Sequence, residues 1–328
     1  SFIHNDKNLL KCDVVILDEM SMVDVKLFQA LIAALRYSCR IIMVGDADQL
    51  PSVGPGNILG EIIRSGLVPT VCLNEIFRQA AQSLIVENAH HIISGEPLKK
   101  GGKTDDFFFL EADGDAAQKL VCDLVTTRLP RSYQFDPVKD IQVLCPTKLG
   151  PTGTQALNAE LQAMLNPPRK GKPELQSAAR VFRVGDKVMQ VRNNYDVVWK
   201  DGLTSGMGVF NGDIGQVVEV DNRAELLTVD FDGRRVEYTP DMLGELEPAY
   251  AITVHKAQGS EYRAVILAVC EGAPMLLTRG VLYTAITRAR ELLILVGDED
   301  VVAHMTANDR QQRRYSGLRW RLAQLANG

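Results

Sequence analysis

The sequence predicts an α/β protein in which a small antiparallel barrel interrupts the second of two parallel-sheet domains. Short apolar strand segments alternate with segments of helical periodicity near the start of the chain, and this pattern returns near its end. Between them, residues 181–247 change to short alternating strands separated by Asn-Gly, Asp-Asn and Asp-Gly turns. Parallel strands need crossover connections whereas tight turns join antiparallel strands, so the two patterns indicate two kinds of sheet.

The composition is that of an ordinary globular protein. Of the 328 residues, 46% are apolar and 23% are charged, which suits two or three compact domains. The formal net charge of -5 argues against coating nucleic acid by bulk attraction, although a local basic groove remains compatible with it. No apolar run approaches the roughly 18 residues of a membrane span, and the first residues lack the apolar core of a signal peptide. We therefore expect a cytoplasmic protein with no membrane partner.

The six cysteines are scattered singly, with no CxxC pair and no histidine at zinc spacing. They are Cys12, Cys39, Cys72, Cys122, Cys145 and Cys270. We expect buried, reduced thiols.

The first elements form a strand, a helix and a second strand. Residues 13–17 (DVVIL) are apolar, residues 23–36 have helical spacing, and residues 40–46 (RIIMVGD) return to an apolar strand. Because neither strand alternates with polar residues, we expect a parallel sheet that is covered on both faces. Ligands of such sheets bind beyond the carboxyl ends of the strands.

Two acids, Asp18 and Glu19, directly follow the first strand. An aspartate at this place is suited to hold Mg²⁺ through water, and a neighbouring glutamate can orient and deprotonate a water for phosphoryl transfer. The pair is equally compatible with acids at the positive end of a helix dipole. The dipeptide alone leaves both interpretations open.

The second strand also ends in polar residues, within VGDADQLPSVGPG. Gln49 can both donate and accept hydrogen bonds, so it can contact a terminal phosphate and the attacking water together. A simple glycine-rich turn is the alternative. The glycine spacing from Gly54 to Gly60 misses the dinucleotide-binding fingerprint by one residue, which excludes a Rossmann dehydrogenase.

Residues 80–125 are predicted to be mostly helical and polar, residues 140–147 to begin another sheet, and residues 153–168 to form a helix. Two arginines, Arg78 in LNEIFRQ and Arg288 in LYTAITRAR, stand at the edges of apolar elements. Arginine is usually a surface charge, but two arginines from separate domains also suit a transferring phosphate.

These motifs and ITVHKAQGSEY, in this order, resemble the superfamily 1 DNA helicases of the RecD-like class, which includes exodeoxyribonuclease V alpha subunits. The resemblance extends over essentially the whole chain. It implies two RecA-like P-loop NTPase domains, the first one incomplete, with ATP bound between them. The first domain would span residues 1–82, the second residues 83–180 and 248–328, and an SH3-like barrel residues 181–247.

The resemblance also implies the roles of individual residues. Asp18 would hold Mg²⁺ and Glu19 would activate water, while Gln49, Arg78 and Arg288 would contact the γ-phosphate. Gly259 and Glu261 resemble the loop that links the nucleotide to DNA. The residues implied for single-stranded DNA are Thr147, Lys148, Gly153, Thr253 and His255.

The implied activity is that of an ATP-dependent 5′→3′ DNA helicase. It would use ATP and Mg²⁺ and act on single-stranded DNA and on junctions of single- and double-stranded DNA, alone or beside the subunits of a helicase–nuclease complex. Two alternatives remain: a non-enzymatic single-stranded DNA-binding module, and the helicase segment of a conjugative relaxase.

The phosphate-binding pattern G-x-x-x-x-G-K-[ST] does not occur in the 328 residues. The nearest approach, Gly102-Lys103-Thr104, has Pro97 where the first glycine should stand. We therefore expect the C-terminal part of such a helicase, and we expect this part not to hydrolyse ATP by itself.

Overall fold

The computed structural model describes residues 2–73, 82–102, 104–177, 180–202, 204–270, 272–309 and 316–326. The chain forms two compact units: the first consists of Ser1–Lys99, Leu277–Thr287 and Ala303–Gly328, and the second of Lys100–Leu276 and Arg288–Val302. The domain boundaries predicted from the sequence stay a prediction, and the compact units divide the chain at other positions.

The helices are α1 Val25–Ala33, α2 Ile58–Ser65, α3 Leu84–Ser94, α4 Gly114–Asp123, α5 Leu129–Tyr133, α6 Thr154–Leu165, α7 Arg279–Ile286, α8 Glu299–Ala307 and α9 Leu318–Ala326. The strands are β1 Val14–Leu17, β2 Arg40–Met43, β3 Phe107–Glu111, β4 Ile141–Cys145, β5 Glu174–Ser177, β6 Arg180–Arg183, β7 Lys187–Gln190, β8 Asn194–Asp201, β9 Thr204–Val209, β10 Ile214–Asp221, β11 Leu226–Phe231, β12 Arg234–Tyr238, β13 Leu246–Pro248, β14 Ala251–Thr253, β15 Tyr262–Val269 and β16 Ala289–Gly297. None of the helices in the described ranges has both the length and the apolar character that a membrane crossing requires.

Strands β1 and β2 of the first unit pair in parallel, with Val14 opposite Arg40. The strand, helix and strand predicted for residues 13–46 are confirmed. The expectation that both faces of these strands are buried is wrong for the described residues, because Ile16 and Ile42 are 67% and 49% exposed. Exposure alternates along both strands, so one face is covered and the other is open. Burial of that second face needs a further layer packed against it.

The second unit contains a sheet with strand order β14-β4-β15-β16-β3, in which every neighbouring pair is parallel. All 5 residues of β4 are buried. Burial on both faces explains why this strand appears in the sequence as a mostly apolar run, with Gln142 as its one polar residue. The parallel sheet predicted from such runs is confirmed.

Strand β3 corrects the prediction of a mostly helical region over residues 80–125. Its residues Phe107–Glu111 pair with β16 at the edge of the parallel sheet. The segment FFFLE is rich in aromatic residues that favour strands, but the polar residues on both sides obscured this signal. Helices α3 and α4, which lie before and after it, are as predicted.

The barrel segment forms an antiparallel sheet with strand order β13-β7-β10-β11-β12-β8-β9. All of its neighbouring pairs are antiparallel, which confirms the pattern of alternating strands and tight turns. Phe231, Val236 and Tyr238 are almost fully buried in its apolar core. Just before it, β5 and β6 form a separate antiparallel pair.

The six cysteines are unbridged, as expected, but they are not equally buried. Cys122, Cys145 and Cys270 are buried, Cys12 and Cys39 are half-buried, and Cys72 is exposed. Burial raises the pKa of the Cys122 thiol to about 11, assisted by the charge of Glu160. The expectation of burial is therefore confirmed for three cysteines and wrong for Cys72.

One buried carboxylate joins the antiparallel sheet to the parallel one. Asp186, which precedes β7, is 1% exposed. It accepts hydrogen bonds from the Tyr250 hydroxyl (2.9 Å), Asn166 Nδ2 (2.5 Å), Gln162 Nε2 (2.6 Å) and the Arg183 backbone N–H (2.8 Å). These donors come from α6 and the residue that caps its C-terminus, from β6, and from the segment just before β14. Burial, together with the nearby charge of Asp186, raises the pKa of Tyr250, which keeps its hydroxyl a donor.

Replacing Asp186 by alanine should destabilise the second unit by about 3 kcal/mol, because several buried donors lose their acceptor at once. The measurement is urea unfolding followed by the fluorescence of Trp199, with Trp320 changed to phenylalanine so that one tryptophan reports. Asp196→Ala, at an exposed position of β8, is the matched control and should stay within about 0.5 kcal/mol of the parent. Equal effects of the two substitutions would contradict the role of Asp186.

Lys187 is a second buried charge at the same junction. It is 5% exposed, and its ammonium donates to the backbone carbonyl of Ile141 in β4 at 3.0 Å. Burial lowers its pKa to about 7, although the charges of Asp136 and Asp140 act in the opposite direction. Near neutral pH, a fraction of the molecules therefore lose the Lys187 proton when they fold.

The lowered pKa predicts that stability rises with pH. Between about pH 7 and the ordinary lysine value, the unfolded chain binds a proton that the native chain does not. The free energy of unfolding should therefore increase, at up to about 1.4 kcal/mol per pH unit, and Lys187→Met should abolish this increase. Urea unfolding at a series of pH values measures it, with Lys119→Met at an exposed position of α4 as control. The same pH dependence in both variants would refute the assignment.

Candidate functional site

The first predicted site residues, Asp18 and Glu19, lie where β1 ends. Glu19 has a left-handed backbone, with φ 50° and ψ 43°, a conformation that side-chain-bearing residues rarely adopt. The backbone N–H of Glu19 donates to Asp18 Oδ1 at 2.9 Å, and Met20 N–H donates to the carbonyl of Val44 at 2.9 Å. The turn is thus fixed to the end of β2. Strained backbone held in this way occurs preferentially at functional sites.

Gln49 follows β2 in the first unit. Its Nε2 donates to Asp46 Oδ2 at 3.2 Å, while its buried Oε1 has no hydrogen-bond partner among the described residues. The Tyr283 hydroxyl of α7 donates to the same Asp46 oxygen at 2.8 Å. A buried amide with one free acceptor is suited to a further donor, such as water.

Asp46 and Tyr283 were missed in the sequence. The signal for Asp46 was present, because it stands at a strand end in VGDADQ just as Asp18 does in VVILDE. No sequence pattern indicated a role for Tyr283, which contacts Asp46 only because α7 packs in the first unit. The Thr284 hydroxyl of the same helix accepts the backbone N–H of Leu50 at 2.8 Å, so α7 fixes this loop at two points.

Arg288 belongs to the second unit and is 5% exposed. Its Nη1 donates to the carbonyl of Ser260 at 3.1 Å, and its own carbonyl accepts the N–H of Tyr262 at 2.8 Å. The loop that it contacts contains Gly259, whose φ of 74° favours glycine, and the exposed Glu261. The structure thus brings Arg288 together with the two residues predicted to link nucleotide and DNA.

Two further predictions concern the phosphate and the metal. Arg78 lies outside the described residues. In the described part of the chain, no three His, Cys, Asp or Glu side chains cluster closely enough to hold a metal ion by themselves. Asp18 is exposed at a strand end, which fits a Mg²⁺ ion that takes one carboxylate and its remaining ligands from phosphates and water.

The loop of residues 147–153 follows β4 and leads into α6. A Cβ at Gly153 would lie 2.4 Å from the carbonyl oxygen of Leu149, so this position requires glycine. The N–H groups of Thr154 and Gln155 donate to the carbonyls of residues 147 and 148, at 3.2 and 3.1 Å. The first amides of the helix are therefore engaged by the loop itself. Contacts to a phosphate at this loop would come from side chains such as Lys148.

Lys148 and Thr253 line one cavity of about 570 Å³ in the second unit. They meet because β4 and β14 are parallel neighbours, with Thr253 opposite Cys145 at the carboxyl ends of the two strands. Arg180 and Lys256 line the same cavity. Together with Arg183, which pairs with Glu174, the cavity therefore carries four basic side chains in a chain whose net charge is negative.

The other three residues predicted for DNA do not line this cavity, but each is a chain neighbour of a residue that does. Thr147 precedes Lys148, Gly153 precedes Thr154, and His255 precedes Lys256. The Thr147 hydroxyl donates within its own loop, to the carbonyl of Leu149 at 3.1 Å.

One acid, Glu247 of β13, lies among the basic side chains. Its Oε2 is 2.6 Å from Lys256 Nζ, and its Oε1 is 3.1 Å from Arg180 Nη2. Burial favours protonation of Glu247, but the hydrogen bond and charge of Lys256, with the charges of Arg180 and Lys148, outweigh it and lower the pKa. The carboxylate is therefore ionised at neutral pH.

Lys256, Arg180 and Glu247 were not among the predicted site residues. Lys256 stands beside His255 in the same motif, so its position was a usable signal. Arg180 directly precedes the predicted barrel and Glu247 is its last residue, and only the fold shows that these two chain segments meet.

Three family descriptions match the chain in succession. Residues 3–111 match an AAA domain, residues 157–231 match the ATP-dependent RecD-like DNA helicase SH3 domain, and residues 248–296 match the UvrD-like helicase C-terminal domain. The SH3 match begins before residue 181, where the barrel was predicted to start, and includes all but the first three residues of α6.

The chain is 35% identical over 312 residues to the ATP-dependent RecD2 DNA helicase of Deinococcus radiodurans, which covers 95% of this chain and 40% of that protein. It is 30% identical to the RecBCD enzyme subunit RecD of Mycobacterium tuberculosis, over 98% of this chain and 55% of that protein. The chain thus spans about half the length of these relatives.

Two solved structures of Pif1 helicases share the fold. The Pif1 helicase from Bacteroides in complex with ADP-AlF3 and single-stranded DNA is 20% identical, with a TM-score of 0.53 over 98% of this chain and 78% of that chain. A structure of two coordinating Pif1 helicases at forked double-stranded DNA is 19% identical, with a TM-score of 0.51 over 97% of this chain and 75% of that chain.

These likenesses agree with the α/β fold, the parallel sheet and the antiparallel insert described above. The resemblance predicted from the order of the motifs is thereby confirmed. The chain is similar to the RecD-like helicases over nearly its whole length.

Proposed function

We propose that this chain is the single-stranded DNA-binding and motor portion of an ATP-dependent 5′→3′ DNA helicase that acts in the cytoplasm. The observation that carries the proposal is the basic cavity of the second unit, lined by Lys148 and Thr253 at the ends of two parallel strands. The relatives, a DNA helicase and a RecBCD subunit, favour the same activity.

The chemistry of the cavity suits a phosphate backbone. Lysine and arginine neutralise phosphates, and threonine hydroxyls donate to phosphate oxygens, without reading sequence. Thr253 is 8% exposed and sits at the end of a strand, so its hydroxyl has a fixed position. We infer that single-stranded DNA and the single-stranded side of a junction with double-stranded DNA are the ligands, and that Thr147, Gly153 and His255 shape the adjoining loops.

For the nucleotide, we propose ATP with Mg²⁺. Asp18 would hold the metal, and the bound metal would neutralise charge on the phosphates during transfer. Glu19 would accept a proton from the attacking water at a carboxylate oxygen, with Gln49 orienting that water. We assign Arg78 and Arg288 to the phosphates. We assign Gly259 and Glu261 to the loop that links the nucleotide to DNA.

We further propose that the 328-residue polypeptide binds single-stranded DNA without turning ATP over. The pattern that cradles a β/γ-phosphate with backbone N–H groups and a lysine does not occur in these residues. This proposal separates DNA binding from hydrolysis, and each has its own assay. The chain could also act beside other subunits in a RecBCD-like complex, as the similarity to the Mycobacterium RecD subunit suggests.

Lys148→Gln should weaken single-stranded DNA binding by about fivefold at low salt and flatten the salt dependence, because one phosphate contact is lost. The measurement is fluorescence anisotropy of a labelled oligodeoxythymidine between about 50 and 200 mM salt, where the slope should fall by about 0.7. Lys119→Gln, an exposed lysine of α4, removes the same charge elsewhere and should leave binding unchanged. A wild-type chain that does not bind the oligonucleotide would refute the proposed DNA site.

The wild-type 328-residue chain should release no phosphate from ATP in a malachite-green assay, with or without single-stranded DNA. In a version of the protein that supplies a phosphate-binding loop and hydrolyses ATP, Glu19→Gln should lower kcat by about 100-fold, the scale of a lost general base. Glu237→Gln at an exposed position of β12 is the control for the charge change.

ATP turnover by the 328-residue chain that disappears in Glu19→Gln would contradict the proposed inactivity and support the role of Glu19. An unchanged kcat for Glu19→Gln in the active version would remove Glu19 from catalysis.

A further inference from the structure

The carboxylate of Glu247 is shared by two cations in the basic cavity. It pairs with Lys256 at 2.6 Å and with Arg180 at 3.1 Å, while Arg180 Nη1 also donates to the carbonyl of Leu246 at 2.8 Å. The side chains of Lys256 and Glu247 are 24% and 31% exposed, and that of Arg180 is 40% exposed. All three are half-buried and remain reachable from solvent.

Strand pairing fixes where this acid stands. Glu247 lies in the middle of β13 and opposite Met189 of β7, so its backbone is held by the antiparallel sheet. Lys256 follows β14 of the parallel sheet, and Arg180 begins β6. Three separate elements therefore deliver one anion and two cations to the same cavity wall.

A half-buried carboxylate between two cations is chemically equivalent to a bound phosphate. A phosphodiester carries one negative charge, as does the ionised carboxylate, and accepts the same charge-assisted hydrogen bonds from lysine and arginine. Without an anion, the two cations would repel each other in a partly desolvated setting. Glu247 supplies that anion when no nucleic acid is present.

We propose that Glu247 is an internal competitor of nucleic-acid phosphate: it occupies Lys256 and Arg180 in the free protein, and a bound strand takes its place at these two cations. The inference rests on the proposed function, because it concerns the same cavity. Exchange of one anion for another keeps both cations paired, so binding here gains less than two free cations would give. Lys148, whose charge also acts on Glu247, is the first phosphate contact in this proposal.

The exchange has a consequence for affinity and for its dependence on salt. Each cation that is newly available to phosphates releases about one condensed counterion when the strand binds, which steepens the salt dependence by about 0.7 for a single strand. Because Glu247 withholds two cations, its neutralisation should steepen the slope by about 0.7–1.4. At low salt this corresponds to roughly 10-fold tighter binding.

Glu247→Gln tests the proposal, since it removes the charge and preserves the shape of the side chain. Fluorescence anisotropy with labelled oligodeoxythymidine should give roughly 10-fold tighter binding at low salt and the steeper slope. Glu291→Gln is the matched control: Glu291 pairs with Arg263 at 2.9 Å, on residues that do not line the cavity. That variant changes the net charge equally and should bind as the parent does.

A double-mutant cycle isolates the pair from general charge effects. Lys256→Gln should cost more affinity in the Glu247→Gln background than in the parent, because only there is Lys256 released to the strand. Circular dichroism melting verifies folding. If Glu247→Gln does not fold, Glu247→Asp retracts the carboxylate by one methylene and should give an intermediate gain in affinity.

Equal affinities and slopes for Glu247→Gln, Glu291→Gln and the parent would overturn the competition. So would an equal cost of Lys256→Gln in both backgrounds. Binding by the parent that weakens in Lys148→Gln but does not strengthen in Glu247→Gln would leave the proposed function standing and remove only this inference. Absence of binding in the parent and in Glu247→Gln alike would remove both.

Discussion

The parallel pairing of β4 with β14 is the constraint on which the nucleic-acid site depends. It places Thr253 opposite Cys145 and brings the loops that follow the two strands to one edge of the sheet. The antiparallel sheet lies between these strands in the sequence, so its first and last strands return to the same edge. Glu247 lies in the last of these strands and Arg180 lies in β6 of the separate pair just before them, so the two residues meet at this edge. The site is thus a product of topology rather than of any single segment.

Asp186 and Lys187 show how the insert is held to that edge. Each is a buried charge, and each is tied to a partner from the parallel-sheet side, the Tyr250 hydroxyl and the Ile141 carbonyl. Buried ionised groups are tolerated only where hydrogen bonds replace water. The junction therefore favours one arrangement of the two sheets over slipped alternatives, which leave these charges without their partners.

Much of the fold could be predicted from the sequence because the spacing of apolar residues along each strand matches the burial of that strand. Wholly apolar runs such as residues 264–269 of β15 predicted the parallel sheet, and alternating strands with glycine turns predicted the insert. Strand β3 was not predicted, because its short aromatic run lies between polar residues. The site was accessible only in part. Lys148 and Thr253 belong to recognisable motifs, whereas Arg180, Glu247 and Tyr283 act through contacts between distant segments, which no local pattern encodes.

The burial of Lys187 also makes its amine a chemical reporter of the junction. An exposed lysine amine reacts with acylating reagents through its neutral fraction, which grows as the pH approaches its ordinary pKa. Burial keeps acylating reagents away from Lys187 while the native packing holds. Its labelling by a reagent therefore requires the junction between the insert and β4 to open. The rate of labelling therefore reports how often this junction opens locally. If labelling is faster than global unfolding, the insert separates from β4 while the rest of the chain stays folded.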